Sequence, residues 1–284
     1  MQLALEVNGV QVDIELPGVT EAAYDDAQAR LHGALANPAT KNRDAICDTF
    51  LHILKDSPGA NASDLWHHVV YRLYCVTLPR YRRENPQQSW VRASGEALEL
   101  AVQRWYEPLL SPLGIRIQAL ISPNKKKDVL QQMELAGLVG ASKLDMSLHA
   151  RMTSDRWNVF GGVHVKASLA ERVSDDVPAS RAMMQRGYFS PLWTLDVKSF
   201  PPPHGDLINR GELGTPADPS DKRRYIEEHG DFDGCYSANS RTAASAQRTP
   251  SGRRIVTLNL LEQPDEFVRD VIARATAVRS QASD

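Results

Sequence analysis

Five charged residues and a histidine crowd one short stretch of the chain: His164, Lys166, Glu171, Arg172, Asp175 and Asp176. Lysine, arginine and carboxylates this close together suit work on a phosphodiester: charge stabilisation, metal binding and base reading. The residues before them, from Val159, form a β-branched, alternating run that reads as a strand to Ser168. In an extended chain side chains at i and i+2 share a face, so His164 and Lys166 point one way and Val163 and Val165 the other. An edge strand running into a polar loop would show the same pattern. A further carboxylate, Asp145, stands between Leu144 and Met146 in a predicted strand over 143–148. A carboxylate among buried alternate positions needs a partner or a metal. It precedes His164 by 19 residues with a turn between. That is a hairpin-sized gap, which would set Asp145 beside Lys166. Upstream, Arg92, Glu96 and Glu99 fall at i, i+4 and i+7. On a helix Arg92 and Glu99 then look the same way, roughly 10 Å apart along the axis. A solvated face with an Arg–Glu pair has the same spacing.

The elements that must position these groups can be read along the chain. Residues 3–14 form a hairpin around Asn8-Gly9, the favoured tight-turn pair. Thr20 caps a helix to about residue 35, a second covers roughly 43–55, and Ser63 caps a third to about 78, with Pro79 after its stop. A polar linker over 80–88 leads to a long helix over 89–109. Residues 1–88 therefore read as a helical subregion and 89–284 as a mixed α/β core, the two forming one compact domain. Downstream come a strand over 115–121, a basic turn at Lys125-Lys-Lys127, the paired strands already named and a helix starting at Pro178. Another strand over 192–200 buries Trp193, Leu195 and Val197, with Thr194, Asp196 and Lys198 on its other face. The stretch 201–219 is too rich in proline and glycine for regular structure. A helix near 221–228, a strand over 254–260 and a helix over 264–278 finish the chain.

The chain has 284 residues and a formal charge of −2, so overall charge gives no push toward nucleic acid and any such role must rest on local clusters. Its three cysteines are far apart without metal-ligand spacing, which fits a reducing, cytoplasmic setting. No apolar run approaches membrane-spanning length, and the N-terminus lacks the layout of a signal peptide. His67, His68 and His204 have no third ligand at useful spacing for zinc.

An Asp on one strand facing an X-Lys on the next has the geometry of the PD-(D/E)XK nuclease core. Longer runs carry a more specific resemblance: Ser63-Asp-Leu-Trp-His-His-Val69, Ser89-Trp-Val-Arg-Ala-Ser-Gly-Glu-Ala97, Gly161-Gly-Val-His-Val-Lys166, 168–181, 195–207, Asn209-Arg-Gly-Glu-Leu-Gly-Thr-Pro216 and Glu228-His-Gly-Asp-Phe232. Through these the chain resembles the CCGG family of type II restriction endonucleases, from the N-terminal hairpin almost to the C-terminus. The resemblance implies an α/β (α+β) restriction-endonuclease-like fold with a mixed central sheet flanked by helices. It implies Mg²⁺-dependent cutting of double-stranded DNA at a palindrome containing CCGG, before the first C, by a homodimer. ACCGGT is the candidate full site, and a cognate DNA methyltransferase is the functional companion. Carried over by position, Glu99, Asp145 and Lys166 are catalytic, with Glu99 and Asp145 as metal ligands. The acid expected two residues before the lysine is replaced by His164. The start of the following helix would restore it, through Asp176 as a catalytic residue and metal ligand, with Asp175 the alternate. Glu171 and Arg172 would read the central C·G pairs. Arg92 would replace a reader that Ala170 lacks, and Lys198, Ser199 and Asp206 would approach the outer pairs. A DNA-binding protein without catalysis, or a repair nuclease that recognises DNA structure, are the alternatives.

Overall fold

The computed structural model describes residues 1–7, 10–170, 172–198 and 208–282. Strands β1 (Gln2–Val7) and β2 (Val10–Glu15) pair antiparallel in a small sheet of their own. Helix α1 (Glu21–Ala36) starts where the Thr20 hydroxyl accepts from the Ala23 amide, as its sequence predicts. After α2 (Asn42–Asp56) come α3 (Ala62–Asp64), a wide-turn stretch Leu65–Val70 and α4 (Tyr71–Tyr81). Asn61, not Ser63, caps this run. Ser63 is buried instead, where its hydroxyl accepts from Asn209. Pro79 lies inside α4 rather than beyond it. Helix α5 (Pro86–Leu110) begins at an Asn85 cap with proline in its first turn, where the missing amide costs nothing. It therefore absorbs the end of the expected polar linker.

Six strands form the main sheet in the order β3-β4-β5-β6-β7-β8: β3 (Ile115–Ala119), β4 (Met146–Arg151), β5 (Trp157–Lys166), β6 (Leu192–Thr194), β7 (Cys235–Ser237) and β8 (Ile255–Thr257). The first three are antiparallel neighbours, and β5 through β8 run parallel. Helices α6 (Pro123–Gln132), α7 (Arg172–Gln185), α8 (Asp221–Glu227) and α9 (Glu266–Gln281) complete the described chain. This is the expected mixed sheet with flanking helices, and β7 is a strand the sequence pattern does not signal. One continuous apolar cluster joins residues of α1, α2 and the 62–81 run to α5, the sheet and α9. Residues 1–88 therefore share a core with the rest.

Two glycines let β5 sit as deep as it does. A Cβ at Gly161 would meet the Phe189 carbonyl oxygen at 2.4 Å, and one at Gly162 would meet Leu144 Cδ1 at 2.5 Å. Several local readings need correcting. Lys143 lies in a short 3₁₀ turn, and Asp145 stands just before β4 rather than within a strand. The lysines 125–127 lie within α6, behind Pro123, and not in a connecting turn. The helix expected from Pro178 begins at Arg172, because Val173 and Val177 are buried against Leu169, Leu192 and Phe232. That packing outweighs the amide Pro178 cannot supply. Strand β6 ends at Thr194, because Asp196 adopts φ +46° and turns the chain, although Trp193, Leu195 and Val197 all reach the core as their alternation predicts.

Candidate active site

The antiparallel register sets Met146 opposite Val163, which brings the preceding Asp145 level with the end of β5. Asp145 Oδ2 accepts from the Val165 amide at 2.9 Å and from Lys166 Nζ at 2.7 Å. The backbone of one strand thus fixes the carboxylate, and the side chain two positions beyond His164 closes on it. Helix α7 supplies the second acid. Asp176 Oδ2 lies 2.8 Å from Lys166 Nζ as an ion pair. The ammonium therefore bridges two buried carboxylates, 6% and 3% exposed. Of the two acids at the start of this helix, Asp176 faces Lys166, while Asp175 pairs with Lys143 at 3.4 Å.

Electrostatics follow from this packing. Burial pushes the Lys166 pKa down, but Asp145 and Asp176 outweigh it and hold the lysine above its ordinary range. Burial pushes Asp176 up, and the His164 ring and Lys166 charge more than reverse that, so its carboxyl lies below the usual value. Glu99, on α5, is near enough for the charges of Asp145 and Lys166 to act on it. Burial, then the nearby Asp145 charge, push its pKa up to about 8 against the pull of Lys126 and Lys166. Its Oε2 is buried with no hydrogen-bond partner.

His164 stands where the motif expects an acid. Its side chain is fully buried, its Nε2 is 3.2 Å from Ser190 Oγ, and Ser190 Oγ is 2.8 Å from Ser180 Oγ. The other ring nitrogen, Nδ1, lies 3.7 Å from Asp176 Oδ2 and has no hydrogen-bond partner. Ligand atoms of Asp145, His164 and Asp176 all fall within 4.8 Å of one another, so this group could hold a metal ion.

Not every expected residue joins the cluster. Arg92 is exposed on α5 and lines a cleft with Arg43, Glu84, Ser89 and Glu96. Lys198 is half-buried, and its amide donates to Asn209 Oδ1 at 3.0 Å. Arg172 is the first residue of α7. Glu171, Ser199, Asp206 and the Arg172 side chain lie outside the described residues. Two lysines were missed. Lys143 Nζ is 3.9 Å from Asp176 Oδ1, and Lys126 acts on the charge of Glu99. The spacing Lys143-X-Asp145 was the available signal for the first.

The family described as BsaWI restriction endonuclease type 2 matches residues 121–263, and the chain belongs to the type II restriction endonucleases. The type II restriction enzyme AgeI of Thalassovita gelatinovora is 46% identical over 280 residues, covering 96% of this chain and 99% of the relative. The crystal structure of a specific AgeI–DNA complex superposes with a TM-score of 0.90 at 47% identity, covering 96% of this chain and 99% of that one.

Proposed function

We propose that this chain cuts double-stranded DNA at a palindrome containing CCGG, before the first C, as a Mg²⁺-dependent homodimer. The observation that carries the reading is the buried cluster itself: two carboxylates closed on one ammonium, with a third acid beside them whose outer oxygen has no partner. Likeness over nearly the full length to a restriction enzyme solved on DNA supports it.

The donor chemistry fits Mg²⁺. Asp145, Asp176 and Glu99 offer carboxylate oxygens, the ligands a hard cation takes, and two of those oxygens are buried without a hydrogen bond. When bound there the ion would acidify a water and offset charge on the phosphate. Lys166, held 2.7 Å from Asp145 and 2.8 Å from Asp176, would serve as donor and positive charge beside the reacting phosphate. The Val165 amide holds Asp145 against that lysine. Arg172 and Glu171, a few residues beyond Lys166, would read guanine O6/N7 and cytosine N4 in the major groove. Arg92 would add a second arginine from α5. Lys198, with Ser199 and Asp206 beyond it, would serve the outer base pairs. A palindrome calls for two copies related by a two-fold axis at the moment of cleavage.

Digestion of genomic DNA in Mg²⁺, with a parallel reaction in EDTA, tests all of this when the ends are sequenced. One CCGG-containing motif at every end is expected, with ACCGGT the first candidate, and no cutting in EDTA. Ends without a common motif would favour a structure-directed nuclease. Specific binding without cleavage in any divalent ion would reduce the chain to a DNA-binding protein.

A further inference from the structure

The histidine at position 164 costs the site an acid, yet its ring is anything but idle. It is fully buried, and the Phe232 ring packs edge-on against it with centroids 5.3 Å apart, which fixes its plane. Its Nε2 faces a hydroxyl and its Nδ1 faces a carboxylate. Asp176 Oδ2 pairs with the Lys166 ammonium at 2.8 Å, and a carboxylate so paired can only accept. A bare nitrogen lone pair aimed at that anion inside the protein would be repelled. An N–H there would be attracted, and among the described residues Nδ1 makes no hydrogen bond that competes with it.

We propose that His164 is a positioning residue whose Nδ1 carries a proton toward Asp176 and thereby presents that carboxylate to Lys166 and to a cation. The proposal rests on Asp176 being one of the acids of the site. The remaining directions follow from it. With one ring proton, placed on Nδ1, the Nε2 lone pair accepts from Ser190 Oγ–H. Ser190, its own proton committed, then accepts from Ser180 Oγ–H. Ser180 lies four residues after Asp176 on α7, one turn along the same face. The chain of contacts therefore leaves α7 at Ser180, passes through Ser190 just before β6, crosses to β5 at His164 and returns to α7 at Asp176. It is closed on one side by main chain, because the His164 amide donates to the Pro191 carbonyl at 3.0 Å. An acid that arrives from a helix, rather than from the strand bearing the lysine, needs such a tie. A carboxylate on β5 itself would be aimed by the strand.

The test uses the full-length, metal-free protein with ¹⁵N-labelled histidine. Long-range proton–nitrogen correlation reads which ring nitrogen of each histidine is protonated, and the signals that vanish in His164→Gln identify residue 164. A proton on Nδ1 is expected, and a proton on Nε2 alone overturns the proposal. A second arm measures Mg²⁺ binding by calorimetry without DNA. Asn at 164 can set a donor where Nδ1 stands, whereas Gln sets its donor nearer to Nε2. His164→Asn should keep Mg²⁺ affinity within about 3-fold, and His164→Gln should lower it about 10- to 100-fold, as loss of a ligand-orienting hydrogen bond does. Equal affinities in the two variants would mean that position 164 only fills space. The nitrogen spectra stand whether or not the protein cuts DNA, so failure here is separable from failure of the nuclease reading.

Discussion

Two buried polar clusters sit near one another at the ends of β5 and β6, one around Lys166 and one around Asp196. In the first, Glu99 Oε2, Asp176 Oδ2 and His164 Nδ1 are buried without hydrogen-bond partners. In the second, the Asp196 carboxylate accepts from the Glu212 amide and the Thr242 hydroxyl, both at 2.7 Å. Asn239 donates to the carbonyls of Asp196 and Asn209. Asn209 accepts from the amides of Lys198 and Gly211 and donates to Ser63 and Asp64. Both clusters are polar and inaccessible, but only the second is complete. Burying a polar atom without a partner costs roughly 1–3 kcal/mol, so the incomplete cluster is the one with capacity to take further partners. The complete cluster is joinery. It holds a left-handed aspartate and ties together the two ends of the 198–211 segment.

That contrast can be broken experimentally. Lys166→Ala should slow cleavage by about 10²- to 10³-fold while leaving specific DNA binding in place. Single-turnover cutting alongside fluorescence anisotropy reads both, and full-rate cutting by the variant removes the lysine from catalysis. Acid titration should then separate both carboxylate clusters from the rest of the interior. Burial lowers the pKa of His67 to about 4, of His68 to about 3 and of His149 to about 4. Between those values and about 6.5 the unfolded chain binds more protons than the folded one. Stability is therefore full above about pH 6.5 and falls below it, by about 1.4 kcal/mol per pH unit for each histidine. Asp196 works in the opposite sense. Burial raises it to about 6, so its contribution is present at acid pH and lost as pH rises through 6, and Glu99, raised to about 8, loses its contribution in the same sense as pH rises through 8. Urea midpoints from pH 4 to 8 should show the histidine limb dominating, and a flat profile would contradict it. Asn209→Ala should cost about 3 kcal/mol by urea unfolding, without changing the Mg²⁺ affinity of the folded protein. A fall in that affinity would show that the two clusters are coupled. The smallest effect is expected at Arg172→Ala, which should weaken binding to a CCGG duplex by about 1–3 kcal/mol. Equal loss on a scrambled duplex would make Arg172 a phosphate contact.

Much of the first cluster was legible in the chain, and almost none of the second. The β4–β5 pairing could be read from two alternating apolar runs and the gap between Asp145 and His164, and the 2.7 Å contact between Asp145 and Lys166 follows from it. The preference for Asp176 over Asp175 came from the resemblance alone, because Pro178 obscured the phase of α7 by imitating a helix start six residues too late. Lys143 was hidden because a 3₁₀ turn, not strand alternation, directs its side chain. The link from His164 to Ser190 and Ser180 joins three elements through short polar side chains, and no periodicity marks such residues. The Asp196 cluster is harder still. Asn61, Asn209 and Asn239 are distant in sequence and each looks like an ordinary loop residue until the chain folds.

The paired glycines of β5 give the site an unusual vulnerability. Neither carries a charge or contacts one, but each acts as a spacer gauge for an acid elsewhere. A methyl group at Gly161 would push on the backbone of Phe189 and so on its neighbour Ser190, which holds the ring behind Asp176. One at Gly162 would press on Leu144, whose neighbour is Asp145. Adding a single carbon at either place would detune the spacing of the carboxylates while every ionisable group remained present. The chemistry of the site is thus calibrated by two residues that have no side chain.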